Sequence, residues 1–142
     1  MVNQNAKFVY ELAIPVRWYD MDAFGHVNTS VYFTYFEQTR ISWFVEIAPQ
    51  SYPFKDNGPV VVNASCTFIK SIIYPEIVIV RLFLGPPGRS SYESFYEIRS
   101  EKNPDILYAE GYAKIVWIDY KTGHSMPLSD ELRKLLPKDN QL

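Results

Sequence analysis

Residues 16–40, VRWYDMDAFGHVNTSVYFTYFEQTR, contain the most informative change of pattern in the chain. Over residues 8–18, which run into the start of this stretch, apolar side chains occupy every second position, which predicts a half-buried β-strand. After the polar turn, apolar side chains recur at helical spacing over residues 30–49, and Pro49 predicts the end of a helix there. Three consecutive residues are suited to cap that helix: Asn28, Thr29 and Ser30. The stretch therefore predicts a strand, a tight polar turn and a long helix.

The predicted helix carries large apolar residues around much of its circumference. One face is formed by Tyr32, Tyr35, Phe36, Trp43 and Ile47. The apolar surface is widened by Phe33, Ile41 and Phe44. We expect such a helix to be central and buried on more than one side. Glu37 and Arg40, one turn apart on the polar side, are expected to form an ion pair.

The chain after Pro59 predicts strands separated by short breaks. The four segments are residues 60–69, 76–84, 91–99 and 106–119. One face of the last segment carries small residues in succession, Ala109, Gly111 and Ala113, which predicts a close approach of the helix. Residues 129–137 predict a short helix with Ser129 as N-cap and Pro137 as stop. The order is α+β: one antiparallel sheet of about five strands curled around a long helix, in a single domain over residues 1–142.

Composition narrows the classes of function. The net charge is −2 with scattered basic residues, so we expect no nucleic-acid partner. No apolar stretch reaches membrane-spanning length, and the first residues lack the apolar core of a signal peptide, so we expect a cytoplasmic protein. The single cysteine, Cys66, excludes a disulfide framework and a multi-cysteine zinc site, and its position in a strand predicts a small buried side chain.

The pair Asp20 and Asp22 has several possible uses, and most do not fit the surrounding sequence. An EF-hand calcium loop starting at Asp20 would need an oxygen ligand where Phe24 stands and a Glu where Val31 stands. An aspartyl-phosphate phosphatase would need a doubly wound parallel sheet, which the order of elements does not predict. No clustered histidines support a metal site with His26, and no GxSxG supports a serine triad.

The remaining functional interpretation places a carboxylate beside a helix N-terminus. Backbone N–H groups at a helix start are unpaired and carry the positive end of the helix dipole. Such groups stabilise a carbonyl oxygen as it becomes an oxyanion, and a carboxylate just upstream could act as nucleophile or general base. The structural alternative is that Asp20 and Asp22 only cap the turn. The residues alone leave both interpretations open.

The same stretch resembles the signature of the hotdog-fold acyl-CoA thioesterases, in particular the 4-hydroxybenzoyl-CoA thioesterase-like family. That pattern is roughly an aromatic residue, D-x-D, two residues, G-H-V-N, then Y-x-x-Y/F-F-E and Arg. It is filled here by Asp20, Asp22, Gly25, His26, Val27, Asn28, Tyr32, Tyr35, Phe36, Glu37 and Arg40. The order of elements also matches the hotdog fold over most of the chain.

The resemblance implies roles for individual residues. The catalytic carboxylate falls on Asp22, and the N–H group that polarises the thioester carbonyl falls at Thr29. Residues that shape the turn and line the acyl pocket would be Asp20, Gly25, His26, Val27, Asn28 and Tyr32. For the phosphates and pantetheine arm of coenzyme A, the candidates are Lys70, Arg81, Arg89, Ser90 and Ser91. Many relatives carry a Pro and a Gly-Asp near the third strand, where this chain has Ser71 and Pro75-Glu76.

The implied function is hydrolysis of an acyl- or aryl-CoA thioester to the free acid and coenzyme A, with no cofactor beyond the substrate's own coenzyme A. The resemblance also implies a homodimer or a dimer of dimers, with the site between subunits. The bulk of the aromatic residues on the helix predicts a short or aromatic acyl group. Two alternatives remain: an acyl carrier protein thioesterase, which would need a basic rim that the sequence does not indicate, and a non-catalytic hotdog module that binds acyl groups.

Overall fold

The computed structural model describes residues 5–138. Five strands and two helices follow one another along the chain: β1 (Lys7–Pro15), α1 (Thr29–Ile47), β2 (Asn57–Phe68), β3 (Ile77–Leu84), β4 (Ser91–Ser100), β5 (Leu107–Asp119) and α2 (Asp130–Leu135). Single 3-10 turns lie at Trp18–Asp20 and Pro49–Ser51. None of the helices in the described residues is long and apolar enough to span a membrane.

The strands form one antiparallel sheet in the order β1-β3-β4-β5-β2. The order confirms the predicted α+β architecture, and it places β1 at one edge and β2 at the other. Pro15, which cannot donate a ladder hydrogen bond, lies on the edge strand β1, where such a residue is tolerated. Because β1 and β2 lie at opposite edges, the connection that contains α1 passes across the sheet.

Helix α1 packs closely on the middle of the sheet. A Cβ atom at Gly111 of β5 would overlap the tip of the Phe36 ring of α1. That ring is also stacked on the Tyr96 ring of β4, with centroids 4.6 Å apart. The flanking Ala109 and Ala113 are fully buried. The prediction that the small residues of the last strand admit the helix is confirmed.

One expectation about burial is wrong and another holds in part. Trp18 does not extend β1: it begins a 3-10 turn, and its side chain is 72% exposed. Of the residues that widen the apolar surface of α1, Phe44 is buried, whereas Phe33 is 36% exposed within the single chain. The alternation of apolar residues shows which face of β1 is buried. It does not show where the strand bends away from the sheet.

Candidate active site at the start of the long helix

The loop between β1 and α1 is a miniature hairpin. Met21 and Val27 form an antiparallel bridge. The Asp22 N–H donates to the His26 carbonyl at 2.9 Å, and the Gly25 N–H donates to the Asp22 carbonyl at 3.0 Å. Gly25 has φ +81°, a left-handed conformation that glycine adopts without steric cost. Gly25 therefore shapes the turn that presents Asp22.

The turn holds the Asp22 carboxylate by one oxygen. Oδ1 accepts a hydrogen bond from the Phe24 N–H at 2.9 Å, which is an Asx turn. Within residues 5–138, no hydrogen bond engages the second oxygen, Oδ2. The carboxylate is thus oriented by the backbone and keeps one oxygen available.

The start of α1 leaves one backbone donor open. Asn28 is the N-cap, and its Oδ1 accepts from both the N–H and the hydroxyl of Ser30 at 3.0 Å. The Val31 N–H donates to the Asn28 carbonyl at 2.9 Å. In the described part of the chain, no hydrogen bond occupies the N–H of Thr29. That donor carries the positive end of the helix dipole.

A cleft of about 270 Å³ lies between the loop, the start of α1 and the segment after β2. Six of the predicted residues line it: Asp22, His26, Val27, Thr29, Tyr32 and Lys70. Asp22 and Thr29, the predicted carboxylate and oxyanion donor, therefore share one cleft. The sequence interpretation missed four further lining residues: Phe24, Phe68, Ile69 and Ser71. Phe24 lies inside the signature stretch, whereas Phe68, Ile69 and Ser71 flank the predicted Lys70 and have no local signal of their own.

Tyr32 closes the inner part of the cleft. Its side chain is buried, and its ring meets Phe68 edge to face with centroids 4.9 Å apart. Burial raises the pKa of the Tyr32 hydroxyl above its ordinary value. Tyr32 is therefore a neutral, mainly apolar wall, and His26 lies exposed at the mouth.

Three predicted binding residues do not line the cleft. Gly25 and Asn28 build the turn and the helix cap described above. Asp20 is only 4% exposed and lies behind the loop, where its carboxylate is bonded within the protein. These residues support the cleft from outside it. Within residues 5–138, no group of three or more His, Cys, Asp or Glu side chains is arranged to hold a metal ion.

Of the predicted coenzyme A residues, Arg81 lies within β3 and pairs with Glu11 and Glu97 at 3.6 and 3.7 Å, and the other four are divided between two ends of the sheet. Lys70 lines the cleft. Ser91 pairs with Val116 of β5, whereas Phe68 beside the cleft pairs with Ala109. That separation is seven residues along β5, or roughly 23 Å at about 3.3 Å per residue. Arg89, Ser90 and Ser91 therefore do not reach the cleft of their own chain.

The predicted Glu37–Arg40 ion pair is present, and the predicted burial of Cys66 is met only in part. Arg40 and Glu37 form the predicted ion pair at 3.9 Å, with Glu37 largely exposed. Arg40 also donates to the Tyr96 hydroxyl at 3.3 Å. Cys66, which was expected to be buried, is only half-buried, and this partial burial raises the pKa of its thiol to about 11. A thiol with that pKa is protonated near neutral pH and is a poor nucleophile.

The arrangement of sheet, helix and loop is that of a known group of enzymes. One antiparallel five-stranded sheet around a long helix, with the carboxylate loop at the N-terminus of that helix, is the hotdog fold of thioester hydrolases. The model of the thioesterase-like superfamily matches residues 16–136. The chain therefore belongs to the thioesterase-like superfamily.

Individual relatives agree with this assignment. The PA2801 protein of Pseudomonas aeruginosa, described as a candidate thioesterase, is 35% identical, with 90% of this chain and 98% of that chain covered and a TM-score of 0.84. A candidate acyl-CoA thioesterase of Xanthomonas campestris is 32% identical, covering 80% and 96% of the two chains with a TM-score of 0.74. A candidate esterase of Aquifex aeolicus is 29% identical over 85% of this chain and 92% of that protein. The protein is a thioester hydrolase.

Proposed function

We propose that the protein hydrolyses an acyl- or aryl-CoA thioester to the free acid and coenzyme A in the cleft beside α1. The observation that carries the proposal is the pairing of Asp22 with the open Thr29 N–H in one cleft. The similarity to a candidate acyl-CoA thioesterase supports coenzyme A as the carrier.

In the mechanism, Asp22 and the Thr29 N–H both act on the thioester carbonyl of the substrate. The thioester oxygen accepts a hydrogen bond from the Thr29 N–H, and the helix dipole stabilises the negative charge that develops there. Asp22 then either attacks the carbonyl carbon or removes a proton from an attacking water. In both routes the C–S bond breaks and coenzyme A leaves as its thiolate. Attack by Asp22 gives an acyl-aspartyl anhydride, which water hydrolyses.

The cleft favours a compact acyl group. Tyr32 and Phe68 close its inner part, and the volume of about 270 Å³ is modest. A short or aromatic acyl group would contact these apolar walls, whereas a long chain would project out of the cleft. Lys70 lines the cleft as well, and its ammonium group is suited to a phosphate of coenzyme A.

We also propose that the active protein is a homodimer or a dimer of dimers, paired through β2. One side of β2 has no strand partner within residues 5–138, and its Val61 and Val62 are 43% and 56% exposed. A groove between β2 and α1 exposes further apolar surface at Phe33 and Ile41. A long apolar edge strand is normally covered. A second copy would continue the sheet and cover the groove.

Antiparallel pairing of the two β2 strands would bring the Arg89–Ser91 hairpin of one chain to the end of the sheet where Lys70 of the other chain lines the cleft. Val60 of β2 lies beside Val116, which pairs with Ser91, so the Arg89–Ser91 hairpin lies at the end of the sheet where β2 begins. In an antiparallel pair, that end of the partner's β2 lies beside Phe68 of this chain. The hairpin of the partner would then lie on the same side as the cleft.

A panel of thioesters tests the substrate class. We expect purified protein to release thiol from aryl-CoA and short-chain acyl-CoA, measured with a thiol-reactive dye, and much less from long-chain acyl-CoA. The same acyl groups on acyl carrier protein serve as the comparison. Thiol release only from the acyl carrier protein substrates would show that the carrier is acyl carrier protein and not coenzyme A. No release from any thioester would favour a binding module.

Mixed dimers test the shared site. Alone, Asp22→Asn should be inactive and Arg89→Ala should show a raised KM for acyl-CoA. When the two variants are mixed and exchange subunits, turnover with the wild-type KM should return. One of the two sites in each mixed dimer then combines an intact Asp22 with the partner's Arg89. If each chain used its own Arg89, no site in the mixture would have the wild-type KM. Light scattering that gave a stable 16.5 kDa monomer would contradict the assembly itself.

A further inference from the structure

The buried carboxylate of Asp20 connects α1 with the loop of residues 16–28, which carries Asp22 and is called the catalytic loop below. Asp20 Oδ2 accepts a hydrogen bond from the Arg17 N–H at 3.0 Å and from the Tyr35 hydroxyl at 2.8 Å. The Arg17 guanidinium Nε lies 3.7 Å from the other oxygen, Oδ1. Tyr35 is buried on the inner face of α1, at 1% exposure. A buried charge is stable only when it is hydrogen-bonded and paired, so Asp20 depends on these two partners.

The backbone of the same residue holds the helix cap. The Asp20 carbonyl accepts a hydrogen bond from the N–H of Asn28, the N-cap, at 2.9 Å. The open N–H of Thr29 belongs to the residue after Asn28, and Asp22 lies two residues after Asp20. Asp20 is therefore hydrogen-bonded through its side chain to Tyr35 and through its carbonyl to the helix cap. The position of Asp20 thus sets the distance between the Asp22 carboxylate and the Thr29 N–H.

We propose that Tyr35 is a positioning residue for thioester hydrolysis, acting through Asp20. The Tyr35 hydroxyl fixes where the loop stands relative to α1 and so fixes the distance between the two groups that act on the carbonyl. Tyr35 is not among the residues that line the cleft, so it has no contact with substrate there. The inference rests on the proposed function of Asp22 and Thr29.

The physical consequence of losing the hydroxyl is a displaced loop. Without it, Asp20 keeps the Arg17 N–H but loses the donor that holds it against the helix. A buried carboxylate that lacks a hydrogen-bond donor lowers its free energy by moving toward water, and the loop that carries Asp22 moves with it. Catalysis is sensitive to displacements of about 1 Å between reacting groups. Binding of the coenzyme A part is expected to change little.

A second buried tyrosine provides a matched control. Tyr96 of β4 is fully buried, and its hydroxyl pairs with Ser94 Oγ at 2.8 Å and with Arg40 at 3.3 Å. None of these partners lies on the catalytic loop. Tyr35→Phe and Tyr96→Phe each remove one buried hydroxyl, so both are expected to lower the melting temperature by similar amounts. Only the first should affect the chemical step.

The test compares the two variants on the best acyl-CoA substrate of the panel. We expect Tyr35→Phe to lower kcat by about 10- to 100-fold with KM within about twofold, and Tyr96→Phe to leave both near wild type. Because Tyr35 acts through Asp20, adding Tyr35→Phe to Asp20→Ala, which has no side-chain acceptor for the hydroxyl, should lower kcat no further. The comparison of the two phenylalanine variants stands even if Asp20→Ala does not fold.

Three results would overturn the proposal. A Tyr35→Phe variant that loses stability but keeps kcat, as Tyr96→Phe should, would show a structural role only. Multiplicative losses in the double variant would show that Tyr35 does not act through Asp20. Wild-type protein without thiol release from any acyl-CoA would overturn the proposed function and this inference together, whereas active wild-type protein with an unaffected Tyr35→Phe would overturn this inference alone.

Discussion

Asp22→Asn is expected to lower thioester turnover by about 10²–10⁴-fold if the carboxylate acts as a general base. Asparagine has nearly the same size, and its Oδ1 can still accept the hydrogen bond that Asp22 Oδ1 accepts from the Phe24 N–H at 2.9 Å. The turn and the open Thr29 N–H therefore remain. Only the negative charge is lost, and with it the ability to attack a carbonyl carbon or deprotonate water. The measurements are kcat with the best substrate and the Kd of a non-hydrolysable thioether analogue, which should stay near wild type.

Asp20→Asn is the matched control for this substitution. It makes the same chemical change two residues away, but at a buried position that supports the loop. We expect it to lower the melting temperature and the activity together, because the ion pair with Arg17 is lost. An Asp22→Asn enzyme within a few-fold of wild type beside an inert Asp20→Asn would show that the wrong carboxylate had been chosen. If both variants stayed active, the catalytic group would lie elsewhere.

Gly111→Leu is expected to destabilise the fold by about 1–3 kcal/mol or more. A Cβ atom at this position would overlap the Phe36 ring, which cannot retreat because it is stacked on Tyr96. A leucine side chain would force α1 away from the sheet. For a chain of this length the melting temperature should fall by about 3 °C per kcal/mol, measured by calorimetry at one fixed protein concentration.

Alanine substitutions at Gly111 and Gly85 distinguish steric overlap with Phe36 from the general effect of replacing a glycine. Gly111→Ala already places the overlapping Cβ and should lower the melting temperature. At Gly85 the nearest atoms to a new Cβ are 3.7 Å away, an ordinary contact, so Gly85→Ala should leave stability nearly unchanged. A Gly111→Leu protein that melted like wild type would contradict the close packing of α1 on β5.

Much of the loop that carries Asp22 could be predicted from the sequence because its determinants are local. The change from period two to helical spacing placed the helix within one or two residues of its observed limits. Asn28 caps the helix as its short polar side chain predicts, and the Gly-His pair of the signature falls in the observed turn. The alternating small residues of β5 also identified the face that α1 approaches. The helix limits, the cap and the turn depend on neighbours within a few positions along the chain, and the alternation of small residues in β5 is likewise a local pattern, although the helix that it admits is distant in sequence.

Features set by pairing between distant segments had no such signal. The strand order decided that residues 68–71 form a wall of the cleft and that Arg89–Ser91 lie at the other end of the sheet. The exposure of Trp18 and the burial of Asp20 were decided by the 3-10 turn after β1, where the Arg17 N–H and the Tyr35 hydroxyl draw the carboxylate inward. The order of elements, the turn and the helix cap could be predicted from the sequence, since these follow from local hydrogen bonding and periodicity. Which side chains share the cleft depends on the folded chain, because sheet register brings together residues that are far apart in sequence.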